Sequence, residues 1–314
     1  MSLLRSLIPA EALRWLAFGG GVGIEIRGPA GSESLRIAAA RIRPGGAREL
    51  GTLSIADASH QAAGVWGSEY AVFLRKAGLS HVAATVILPR RDVILRPLVL
   101  PGVPDKDLAA AIEFQIEGLH PYAEDDAIYS WARIPETSSV LVAIARRAVP
   151  ERYANLFAEA GVKVESFTCS APATYSALRL LRVRSAAREP GLLAYEATET
   201  GIEVYGESPA RPVFSASFDA PVDRALSLAV SELRLEEAVE AQSLSQLLGV
   251  RDALPYAAAL ASACPLLALP LNLLPAERRQ TGSRLVWIPS AALGFAVVLL
   301  AVALAFFPHY ENGK

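Results

Sequence analysis

The chain has 314 residues, of which 20% are charged, and a formal net charge of −2 at pH 7. That balance leaves no electrostatic footprint for nucleic acid or for acidic substrates, so neither is expected as a partner. Cys169 and Cys264 stand far apart, with no CxxC and no nearby His, which argues against a disulfide or zinc site and for a reducing compartment.

Residues 1–18 group Leu3, Leu4, Leu7 and Ile8, then Leu13 and Leu16. Pro9, Glu11 and Arg14 interrupt any apolar run of signal-peptide type, so a short amphipathic helix is expected, packed on the body or grazing a membrane. From residue 22, VGIEIRG, SLRIAAARI and ELGTLSIA alternate with period two between Gly/Pro clusters and predict three hairpin-connected strands. Trp66, Tyr70, Phe73 and Leu74 then repeat at helical spacing up to Gly78. Strands are expected at 81–88 and 92–100, and a helix from Asp105 to Leu119 with Leu108, Ile112, Ile116 and Leu119 on one stripe. IYSWARI (128–134) and SVLVAIA (139–145) predict a strand pair. Pro150 predicts a helix start with Tyr153, Leu156, Phe157 and Ala160 inward, followed by a strand at VKVESFT and a helix over 171–183.

The opening pattern then returns. LLAYEA (192–197), GIEVYG (201–206) and RPVFSASF (211–218) predict three strands, followed by a helix with Val222, Leu226, Val230 and Leu233 inside. Residues 236–248 and 253–263 read as helical. Two copies of strand-strand-strand-helix, with α/β material inserted after the first, predict a duplicated two-lobed α/β fold. Such duplication is the plan of the actin-like (ribonuclease H-like) architecture.

From Leu285 to Phe307 no side chain is charged. A helix over that stretch reaches roughly 34 Å, enough for a hydrocarbon core of about 30 Å, and it is apolar all round, unlike a buried soluble helix. Arg278, Arg279 and Arg284 precede it and only Lys314 follows. The positive-inside tendency therefore predicts a single-pass membrane protein with its N-terminal body in the cytoplasm. Ala291, Ala292 and Gly294 would serve pairing with other single-span subunits or would simply face lipid.

The segment LVLPGVPDKDLAAAIEFQIEGLHPYAEDDAIYSWARI (98–134) resembles the actin-like cytoplasmic assembly proteins of type IV pili (PilM-type) and the cytoplasmic domain of the type II secretion protein GspL. Pro101, Leu108, Ile112, Glu113, Glu117, Pro121 and Asp125 carry the likeness, which extends over most of residues 20–284. LNLLPAERR (271–279) is similar to the INLLP signature of PilN-type membrane proteins, a peptide that in that family docks into a groove of the actin-like partner. The resemblance implies an actin-like domain over 19–270. Its lobe halves would lie at about 19–100 and 185–270, with an inserted subdomain at about 101–184. A juxtamembrane linker (271–284), a transmembrane helix (Leu285 to Phe307) and a short periplasmic tail (308–314) would follow.

The same resemblance bears on nucleotide use. PilM-type proteins carry GIDIG in the first phosphate loop, where glycine lets backbone N–H groups approach phosphate and Asp handles magnesium. Here Glu25 replaces the Asp and Arg27 the second glycine. In the second loop Tyr195 and Ala197 stand where Asp and glycine are expected, and no glycine occurs between Leu226 and Leu248. ATP is therefore not expected as a cofactor, and no catalytic or metal site is assigned. Gly46-x4-Gly51 lacks a Walker lysine, and the glycines at 19, 20, 21 and 23 do not form GxGxxG. His60, His81, His120 and His309 have no metal or catalytic spacing, and Glu124-Asp125-Asp126 reads as a solvated loop cluster.

The resulting expectation is a non-enzymatic inner-membrane scaffold of a type IV pilus or type II secretion platform. Its partners would be membrane subunits of PilN/PilO or GspM type, a cytoplasmic motor ATPase and the bilayer, with homodimer formation open. Partner contacts fall to Leu271, Asn272, Leu273, Leu274, Pro275, Glu113 and Glu117. The alternative is a membrane-tethered actin-like ATPase that regulates assembly through nucleotide binding.

Overall fold

The computed structural model describes residues 19–43, 46–181, 191–198, 201–235, 239–265 and 267–280. The expected amphipathic segment (1–18), membrane span (285–307) and tail (308–314) lie outside the described residues. Among those described, no helix is long and apolar enough to cross a membrane.

Strands β1 (Gly19–Arg27), β2 (Ser34–Arg43) and β3 (Gly46–Ile55) form an antiparallel meander, and β4 (Ala84–Ile87) and β8 (Val164–Thr168) extend it in parallel to give the order β3-β2-β1-β4-β8. Helices α1 (Ala63–Ala77) and α3 (Ala148–Glu159) pack together near β8, with Trp66 edge-on to Phe157 at 6.0 Å and Phe157 against Phe167 at 6.3 Å. Gly67 lets α1 approach the Ala160 carbonyl at the end of α3. Helix α3 begins at Ala148, two residues before the expected Pro150 start.

The middle strand is unusually close to a helix. A Cβ at Gly19, Gly21 or Gly23 would collide with the carbonyl oxygens of Ala263, Ala259 and Pro255, respectively, on α7 (Ala253–Ala263). Alternate strand positions advance roughly 6.6 Å while four helical residues advance roughly 6 Å, so the two periods stay in step along the contact. These glycines therefore serve helix–strand approach. Ala257, Ala258 and Ala259 are fully buried, and α4 (Ser170–Leu180) packs beside α7.

The inserted sheet consists of β5 (Val93–Val99), β6 (Ala127–Arg133) and β7 (Ser139–Arg146) in the order β5-β7-β6, all antiparallel. It spans 93–146, narrower than the expected 101–184, because β8 pairs with β4 and so belongs to the first lobe. Helix α2 (Leu108–Ile116) covers one face with Leu108, Ile112 and Ile116, and a 3₁₀ turn at Glu117–Leu119 replaces the end of the expected 105–119 helix. Strand β7 is buried on both faces: Val140, Val142 and Ile144 join α2, whereas Leu141, Ala143 and Ala145 join the main core.

The second lobe repeats the first. β9 (Leu192–Thr198), β10 (Gly201–Glu207) and β11 (Phe214–Phe218) form a meander, and β12 (Gln242–Ser243) adds in parallel to β9, as β4 does to β1. Helix α5 (Val222–Leu233) buries Ala225, Ala229 and Leu233, with Leu226 and Val230 at the margin, while Val222 is exposed. The buried stripe differs from the expected Val222–Leu226–Val230–Leu233: Leu233 packs over Gly206 on β10, and Ala225 and Ala229 take the other buried positions. Residues 239–248 are not one helix. A strand forms at β12, then Ser243 caps the short α6 (Leu244–Leu248) in a capping box with Gln246.

Gly23→Ala is expected to destabilise the fold by about 3 kcal/mol, since backbone on both sides must part. Gly64→Ala, with nothing within 4 Å of its added Cβ, is expected to change stability by no more than about 0.5 kcal/mol. Denaturant titration of the two variants checks the contrast; equal effects would contradict close β1–α7 packing.

Candidate functional site: the interlobe cleft and the docked terminal segment

The two meanders face each other through β1 and β9. Alternation along β9 sends Leu193 into the second-lobe core and Ala194 toward the cleft, so Glu196 also faces the cleft. Arg27, at the end of β1, crosses between the lobes. Its Nε lies 2.8 Å from Glu25 Oε1 and its Nη2 donates to Glu196 Oε1 at 3.3 Å. Nearby, Ser170 and Ser215 donate to Glu203, and Arg90 donates to the Ser215 carbonyl at 3.2 Å. What remains open is a narrow crevice with room for little more than a water molecule, lined by Ser170, Thr174, Tyr195, Glu196 and Glu203 among others.

Electrostatics follow from this crowding. Burial lifts the Glu25 carboxyl to about 7, against the lowering effect of Arg27 and with Glu196 and Glu203 adding to the rise. Burial likewise raises Glu196 and Glu203. For Arg27, burial works against the charge, but Glu25 and Glu196 outweigh it and hold the guanidinium above its ordinary value. One Oε of Glu25 has no hydrogen-bond partner. This residue set does not fit a nucleotide triphosphate. Three carboxylates converge, and the one cation that bridges the strands is already shared between two of them.

Of the degenerate loop positions, Glu25 and Arg27 are at the cleft, Tyr195 borders the crevice while packing against the second-lobe core, and Ala197 is exposed on β9 beyond it. The β9 acid that answers Glu25 is Glu196, one position after Tyr195. Sequence reading missed it, although the alternation of LLAYEA carries the signal. A second interlobe tie lies deeper. Arg179 on α4 donates to both carboxylate oxygens of Glu207 on β10, at 2.5 and 2.8 Å, and stacks on Tyr175 at 3.5 Å.

The second site is the segment after α7. Leu271, Leu273 and Leu274 are buried against the body of their own chain. Asn272 holds the segment in the gap between β8 and β6. Its Oδ1 accepts from the Phe167 N–H at 3.0 Å and the Leu274 N–H at 2.9 Å, and its Nδ2 donates to the Glu165 carbonyl at 3.1 Å. Its own N–H donates to Ser130 Oγ at 3.0 Å. The backbone adds Leu273 N–H to Phe167 O at 2.8 Å and Gln280 N–H to Val164 O at 2.9 Å, so this strap runs antiparallel to β8 and covers that sheet edge. Pro275 starts a 3₁₀ turn, and Arg279 donates to the Leu274 carbonyl. Glu113 and Glu117 lie elsewhere, exposed on and just after α2, beside Phe114, which is 90% exposed.

No family model and no curated protein sequence matches the chain. Solved structures do. A PilM–PilN type IV pilus biogenesis complex aligns over 79% of this chain and 97% of its own, at 13% identity and a TM-score of 0.51. The cytoplasmic domain of EpsL, an inner-membrane component of the Vibrio cholerae type II secretion system, aligns over 71% of this chain and 82% of its own, at 13% identity and a TM-score of 0.46. A Bacteroides thetaiotaomicron protein described as having an actin-like ATPase fold aligns at 11% identity and a TM-score of 0.39. At these identities the likeness is one of fold, and of the three the first carries it.

Two outcomes test the site. Asn272→Ala leaves Phe167 N–H, Leu274 N–H and the Glu165 carbonyl without this partner and is expected to cost roughly 3 kcal/mol. Hydrogen exchange over 269–280 should accelerate well before the β1 amides do; unchanged protection would mean that the strap is held by its leucines alone. For Glu25 the folded pKa lies above the unfolded one, so the folded state binds the extra proton between about pH 4.5 and 7. Its contribution is therefore most favourable below that window and is lost as pH rises through it, by at most about 3 kcal/mol. Urea midpoints of Glu25→Gln should fall less steeply from pH 5 to 7.5 than those of the parent.

Proposed function

We propose that the chain is a non-enzymatic scaffold of a type IV pilus or type II secretion assembly platform. It would be anchored in the bacterial inner membrane by residues 285–307, with its body in the cytoplasm. The observation that carries this reading is the strap: an LNLLP segment, similar to the PilN-type signature, is seated in a body whose fold is like that of the PilM–PilN complex. In this reading one chain joins the body and the peptide, and the strap passes positional changes between the two sheets and the membrane. Glu113, Glu117 and Phe114 form the outward surface offered to membrane subunits of PilN/PilO or GspM type or to a motor ATPase. The ion pairs of Arg27 weigh against the membrane-tethered ATPase alternative.

Deletion of the gene in its host tests the role directly. Surface pili or secreted proteins should be lost and restored by the parent chain but not by Asn272→Ala, while the purified full chain in mild detergent neither binds nor hydrolyses magnesium-ATP. Normal piliation and secretion in the deletion strain would sink the scaffold reading, and magnesium-dependent turnover would revive the enzyme.

A further inference from the structure

The first-lobe sheet gathers several chain ends at one edge. β4 and β8 run parallel to β1 and begin level with its start: Ala84 lies beside Val22, and Val164 beside Ala84. β2 ends and β3 begins there as well, with Ile42 opposite Gly19 and Arg41 opposite Arg48. Helix α1 finishes at the same end. Arg41 donates to the Ala77 carbonyl at 3.5 Å, and a Cβ on Gly20 would strike the Leu79 side chain.

Five cations gather at this end. Arg43, Arg48, Arg75, Lys76 and Lys163 are all exposed. Among the described residues none of the five makes an ion pair or a side-chain hydrogen bond. Elsewhere the cations are mixed: Arg27, Arg36, Arg133, Arg146, Arg152, Arg179 and Arg211 each face a carboxylate, whereas Arg96, Lys106, Arg224, Arg234 and Arg251 are exposed at scattered positions. The acids nearest this end in the chain are Glu49 and Glu165, both partly buried, followed by Glu159 and Glu277. Arg75 and Lys76 also suit the negative end of α1, which does not neutralise them.

Both exits of the described body open at this end. Gly19 starts β1, and Gln280 is pinned to Val164 at the start of β8. Residues 281–284, which include Arg284, can extend no more than roughly 14 Å before the uncharged stretch begins at Leu285. Unpaired cations therefore cluster where the chain departs toward its most apolar segment. Anionic headgroups attract such cations within a Debye length of about 8 Å at physiological salt.

We propose that this end of the first lobe, the β2–β3 hairpin with the end of α1 and the residue before β8, docks on anionic phospholipid headgroups and sets the body's orientation on the bilayer. The proposal rests on the membrane anchor of the preceding section. The experiment uses the full chain with vesicles of phosphatidylcholine alone or with about one-third phosphatidylglycerol, followed by flotation and hydrogen exchange. Expected is flotation with both compositions, with exchange at 46–49 and 75–79 slowed by roughly five-fold in the anionic vesicles alone. That protection should vanish in 0.5 M salt and in the triple variant Arg43→Glu/Arg48→Glu/Lys76→Glu, whose other amides should exchange as in the parent. Flotation only with anionic vesicles, abolished by salt, would support the face while removing the anchor. Equal exchange in both compositions, or no flotation with either, would overturn the proposal, as would protection that survives the triple variant.

Discussion

The close contact between β1 and α7 is the constraint on which the body depends. It forces glycine at three alternate strand positions, alanine along the facing helix, and a carbonyl row where side chains would normally interpose. With α7 pressed flat on β1, α4 packs beside it and reaches across to β10, where Arg179 grips Glu207. The two lobes are thus joined from behind by helices and at the front by Arg27. Interiors packed this tightly shift as units, so the cleft has little freedom to widen without breaking one of these ties.

That front tie occupies the space between the two hairpins. A crevice between two hairpins is a natural place for an anionic ligand only if backbone N–H groups and spare positive charge line it. Here the side chains of Glu25, Glu196 and Glu203 approach instead, and burial pushes their carboxyls toward the protonated form. The arrangement closes a space and fixes the relation of the lobes. Its charges neutralise one another across the chain, which is the behaviour of a structural lock.

Much of the fold was legible because its strands alternate cleanly and its hairpins are punctuated by glycine and proline. The repeat of three strands and a helix was visible for the same reason. What escaped depended on small residues and distant partners. Bulk apolar spacing pointed to Val222 and Leu226 on α5, whereas Ala225 and Ala229 are the buried residues. Ser243 and Gln246 carried a readable capping signal, overlooked because the surrounding sequence suits a longer helix. Arg27 and Glu196 are 169 residues apart, and no local pattern links them. The leucines of the strap announced burial, but only the fold specifies that they are buried against their own chain.

The direction of the strap has a mechanical consequence. A pull entering at Gln280 meets the hydrogen bond to Val164 first, then the 3₁₀ turn at Ala276–Arg278, and last the bonds that Leu273 and Asn272 make with Phe167. Asn272 then divides the load between β8, through Phe167 and Glu165, and the inserted sheet, through Ser130. Strand β7, shared by two cores, stiffens that second route. Tension arriving from the carboxyl-terminal side is thereby delivered to the first lobe and the insert together, and reaches the second lobe through α4, the α7–α6 packing and the arginine bridge.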